Sequence, residues 1–75
     1  MEMTKVIIKA IKDYPENASM DRSVIEKALK DAGLVVTFEE LRVRLILLKR
    51  KGIISFKSVM FEDGVEVPVS GFRLR

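Results

Sequence analysis

Arg42, Arg44, Lys49, Arg50 and Lys51 crowd one short segment of this chain. Their side chains suit the binding of an anion. An arginine fork matches a guanine edge or a pair of phosphate oxygens, and a lysine ammonium supplies a compact positive charge. Catalysis, by contrast, has little to work with. Histidine and cysteine are both absent, which removes the usual general base and the thiolate nucleophile. Nothing in the sequence places a Ser–Lys pair in a pocket. Glu39 and Glu40 are adjacent, so on a helix they point about 100° apart and cannot clamp one metal ion together. They read instead as first-turn carboxylates that complement the helix dipole. No glycine-rich phosphate loop is present, no cofactor is implied, and the chain is not expected to be an enzyme.

Composition sets the frame for that binding chemistry. The 75 residues suffice for one small domain, and a hydrophobic fraction of 48% supplies a core without disulfide or thiolate-metal support. The net charge of +3, with a pI near 9.5, permits an anionic partner without demanding one. No apolar run approaches the roughly 20 residues that span a bilayer, and Lys5 and Lys9 interrupt the only apolar stretch near the N-terminus. A cytoplasmic protein with no membrane partner is the expectation. Glutamine is missing, Asn17 is the only asparagine and charged residues reach 33%, a balance also seen in proteins from hot environments.

The elements that must position the cations can be read in order. About Met3 to Tyr14, Ile7, Ala10, Ile11 and Tyr14 recur at helical spacing, with Lys5, Lys9 and Lys12 on the other side. Pro15 ends that helix, and Glu16 to Ser19 reads as a loop. A second helix is expected to be capped by Asp21, to carry Val24, Ile25, Ala28, Leu29 and Ala32 at its apolar positions, and to end at Gly33. Leu34-Val35-Val36 suggests a brief strand. Thr37 then caps a third helix, with Glu40 completing a capping box. Leu41, Leu45 and Leu48 line its core face one turn after Phe38, the basic last turn meets the negative end of the dipole, and Gly52 closes it. Strands follow from Ile53 to Phe61 and from Val65 to Leu74, joined at Asp63-Gly64, where a two-residue hairpin needs positive φ. Pro68 lacks a donor N–H, which marks an edge strand.

Helix, helix, helix, strand, strand is an α+β order. With the spacing Leu41-x3-Leu45-x2-Leu48-x3-Gly52-Ile53-Ile54, it resembles the three-helix winged helix-turn-helix domain with a C-terminal β-hairpin wing. The resemblance covers nearly the whole chain as a single domain, residues 1–75. It implies that the third helix enters the major groove of double-stranded DNA while the wing touches the backbone or minor groove. Arg42, Arg44, Lys49, Arg50, Lys51 and Lys57 are then the expected DNA-binding residues, in a transcriptional regulator or chromosome-associated factor. Lys49 to Lys51 equally suit a solvated helix end, and the Lys5, Lys9, Lys12 stripe a solvated face.

Two features pull against base reading. Opposite its leucines, the third helix presents Glu39, Val43, Ile46, Leu47 and Arg50, where a base-reading helix would carry polar side chains. The wing tip, Glu62 to Glu66, carries three carboxylates that repel phosphate. The sequence therefore predicts weak sequence readout. Val43, Ile46 and Leu47 are expected to form a protein interface, most simply in a homodimer. The alternatives are a protein-interaction module docking through the third helix, or packing of the strip within the chain. Met60, Phe61, Val65, Val67 and Val69 add more apolar surface than one face of a wing needs.

Overall fold

The computed structural model describes residues 2–75. It contains α1 (Glu2–Asp13), α2 (Arg22–Asp31) and α3 (Phe38–Arg50), then β1 (Ile54–Ser55), β2 (Ser58–Glu62), β3 (Val65–Ser70) and β4 (Arg73–Leu74). β2 pairs antiparallel with β3, and β1 with β4, so the two arms of one long hairpin are each interrupted once. Three helices followed by this hairpin form a winged-helix topology.

Local chemistry accounts for the helix ends. Thr37 Oγ1 accepts from the Glu40 amide at 3.1 Å, and the Glu40 carboxylate accepts from the Thr37 amide at 3.0 Å. This reciprocal box satisfies two donors that would otherwise be orphaned at the start of α3. Gly33 and Gly52 follow α2 and α3 with φ of 78° and 76°. Asp63 (φ 52°) and Gly64 (φ 77°) form the tight turn of the wing.

The capping box carries a pH signature. The backbone hydrogen bond from Thr37 holds the Glu40 carboxyl below its ordinary value of 4.5. The side-chain hydrogen bond from Arg42 does the same for Glu39. A depressed folded value contributes stability above the ordinary carboxylate range, and that contribution is lost as pH falls through the folded value. Thermal melts should therefore weaken from about pH 5 downward. Glu40→Gln, which keeps an acceptor but not the charge, should show a shallower acid limb. Identical acid limbs in the two proteins would remove Glu40 from the account.

The core lies where the predicted apolar stripes meet. Ile7 and Ile11 of α1, Ile25 and Leu29 of α2, and Leu41, Leu45 and Leu48 of α3 are all buried. Met20, Ile54, Phe56 and Phe72 join them from the connections and the wing base. The Phe56 and Phe72 rings pack tilted, with centroids 5.6 Å apart, where α3 hands over to the wing. α1 packs on α2 and reaches β4, while α3 lies against β1 and β3.

Three expectations change. Leu34-Val35-Val36 forms no strand, and Val35 is 99% exposed. The extra strand contact comes instead from Asp21, which bridges Ser70, with the Gly71 amide donating to the Met20 carbonyl at 2.9 Å. Asp21 does occupy the N-cap position of α2, but its side chain makes no capping hydrogen bond. The expected long strands also break, at Phe56-Lys57 on one arm and Gly71-Phe72 on the other. Gly71 has φ of 81°, and a Cβ there would stand 2.8 Å from Lys57 Cβ and 2.9 Å from its amide nitrogen. Only glycine lets the two arms pass this closely.

Candidate nucleic-acid interface

The predicted cations do not share one environment. Arg42 sits near the start of α3 with its side chain only 15% exposed. Its Nε donates to Glu39 Oε1 at 3.0 Å, Nη2 donates to Glu39 Oε2, and Nη1 reaches the Glu66 carbonyl of β3 at 3.3 Å. The hydrogen bond to Glu39 raises its already high pKa. Sequence reasoning expects a free surface side chain here, whereas the structure has a clasp between α3 and the wing. The wing contact spans 24 residues, which is why local patterning gave no sign of it.

The cations farther along α3 are more accessible. Arg44 is half-buried, and Arg50 and Lys51 are exposed. Lys49 places its ammonium 4.5 Å from the centre of the Phe56 ring, a cation–π contact that leaves the charge at the surface. Lys57 is exposed where β1 gives way to β2. Among the described residues, none of Arg44, Lys49, Arg50, Lys51 and Lys57 forms an ion pair, whereas Lys9 and Lys27 are bound to Asp13 and Asp31 at 2.9 and 2.8 Å.

A grouping missed in the sequence lies at the wing base. A groove of about 390 Å³ runs between the end of α1, the loop after it and the start of β4. Lys12, Lys57 and Arg73 line it together with Tyr14, Asn17 and Ser19, and Glu16 is the sole carboxylate on its wall. The three cations are 45 and 16 residues apart along the chain (57 − 12 and 73 − 57), so only the closed fold assembles them. Charge is thus segregated within the wing, positive at its base and negative at its tip, where Glu62 and Asp63 are exposed. No known protein family, curated protein or solved structure matches this chain.

The aliphatic strip is partly open. Val43 is 48% and Leu47 37% exposed, while Ile46 is half-buried against the rest of the molecule. On the wing, Met60 and Phe61 are 51% and 69% exposed, and Val67 is buried. No cluster of three carboxylates positioned to hold a metal exists among the described residues. No helix is long and apolar enough to cross a membrane.

Proposed function

We propose that this protein binds double-stranded DNA mainly through its phosphates, with weak sequence readout, as a cytoplasmic homodimer acting as a transcriptional regulator or chromosome-associated factor. The supporting observation is the set of unpaired cations at the end of α3 and the wing base: Arg50, Lys51, Lys57 and Arg73, with Lys12 across the groove. Phosphate contact needs charge and reach, which these side chains have, and no particular base-edge geometry. Weak readout follows from the open face of α3, where Val43 and Leu47 offer apolar contact and no hydrogen bonds.

The test is a titration of random and mixed-sequence duplexes at two salt concentrations. Each phosphate contact contributes about 0.9 to the slope of log affinity against log salt. Arg50→Ala/Lys51→Ala/Arg73→Ala should bind more weakly and lower that slope by roughly 2–3. Absence of wild-type binding at low salt would overturn the proposal.

The exposure of Val43 and Leu47 favours a second reading, a protein-interaction module whose α3 docks in an apolar groove. Leu47→Lys separates the two. It leaves phosphate binding intact or strengthens it, and it abolishes apolar docking.

A further inference from the structure

Every residue of β2, Ser58 to Glu62, is exposed. One edge of the strand pairs with β3, and the other has no partner among the described residues. Open edges are usually blunted by proline, lysine, a bulge or a covering element. β3 shows such protection. Its Pro68 has no N–H, its Pro68 carbonyl accepts from Arg22 Nη1 at 2.6 Å, and its Glu66 carbonyl accepts from Arg42. The bulge also falls on β3, where partners step from Pro68 to Ser70 and leave Val69 as the extra residue. β2, with the sequence SVMFE, has neither proline nor a basic side chain, and it carries Val59, Met60 and Phe61 into solvent.

We propose that β2 is the surface on which two copies of this chain join, strand against antiparallel strand, about a two-fold axis passing beside Met60. This rests on the dimer in the functional reading above but places its interface on the wing and not on α3. The register follows from the turn. In a two-residue hairpin the closing pair, here Glu62 and Val65, exchanges both backbone hydrogen bonds, and the pairs alternate from there. The amides of Phe61 and Val59 therefore point to the open edge. A two-fold axis at Met60 sets each Phe61 opposite the partner's Val59, so the outward groups meet and an aromatic faces a β-branched side chain twice.

Charge selects this register and a second copy as the occupant. The strand is basic just before its start, at Lys57, and acidic at and just beyond its end, at Glu62 and Asp63. Antiparallel pairing about Met60 brings Lys57 against the partner's Asp63 at both ends. Moving the axis to Phe61 or Val59 would set Glu62 against the partner's Met60 or Phe56 and lose both ion pairs. A segment whose opposite ends carry opposite charges is complementary to itself under a two-fold axis.

Sedimentation at concentrations up to roughly 100 µM tests the proposal on the full chain. Wild type is expected to dimerise, Phe61→Lys to remain a folded monomer, and Ile46→Glu to dimerise as wild type does. Lys57→Glu, which lies outside the strand and needs no repacking, should raise the dissociation constant about tenfold by turning two attractions into repulsions. Ser58→Lys should lower it, by adding a pair to the partner's Glu62. A monomeric wild type would overturn both the dimer and its placement. Dimers that survive Phe61→Lys and Lys57→Glu but not Ile46→Glu would overturn the placement alone and move the interface to α3. DNA binding is read separately, by the salt titration of Arg50→Ala/Lys51→Ala/Arg73→Ala, none of which lies on β2 or at Lys57.

Discussion

Gly71→Ala is expected to destabilise the fold by about 3 kcal/mol, far more than alanine at Gly33, Gly52 or Gly64. All four glycines have positive φ, so each alanine meets the same left-handed penalty of roughly 1–2 kcal/mol. At Gly33, Gly52 and Gly64 nothing lies within 4 Å of the added methyl. At Gly71 the methyl meets Lys57 at 2.8 Å from Cβ and 2.9 Å from the backbone nitrogen. A flexible side-chain tip could swing away, but Cβ and backbone can yield only by moving the strand. The Gly71 amide also holds Met20, so a shift there loosens the contact between the wing and the α1–α2 connection. Denaturant unfolding of the four variants checks the ranking. Equal losses at all four positions would show that the close passage of the two arms is not a constraint.

Leu45→Ala should cost a similar amount, about 3 kcal/mol, because Leu45 is fully buried between the helices and the wing base. A domain of this size has roughly 4–11 kcal/mol in total, so the melting temperature should fall by about 12–24 °C. Leu47→Ala, two residues on and 37% exposed, should cost under about 1 kcal/mol. The pair tests the orientation of α3 directly. Comparable losses would mean that the helix is rotated, and the exposed face on which the weak-readout argument depends would no longer be Val43 and Leu47.

The orientation of α3 was legible because its determinants are local. Leucine spacing, the Thr37–Glu40 box and Gly52 all act within a few residues of one another. The same holds for the Asp63-Gly64 turn. What could not be read depends on partners far along the chain. Leu34-Val35-Val36 has the valine-rich composition of a strand, yet it pairs with no other strand and Val35 stands in solvent. Ser19-Met20-Asp21 has little strand character, but it lies beside Ser70 and Gly71 and pairs there. Arg42 looked free because its wing acceptor is a carbonyl, a group every residue has and no sequence pattern marks. The grouping of Lys12, Lys57 and Arg73 was hidden for the same reason: each cation is visible in the sequence, but their convergence is a product of closure.

The arginines that reach β3 from α2 and α3 also bear on edge-to-edge assembly. A small sheet with two bare edges can add copies at either side without limit, the geometry of a growing filament. Here Arg22 and Arg42 occupy the outward carbonyls of Pro68 and Glu66, which leaves β2 as the exposed edge. Any strand-to-strand association through β2 uses up that edge in both molecules and ends there. Two guanidinium groups reaching in from the helices would thus limit association at the wing to a single closed event, without shortening the wing.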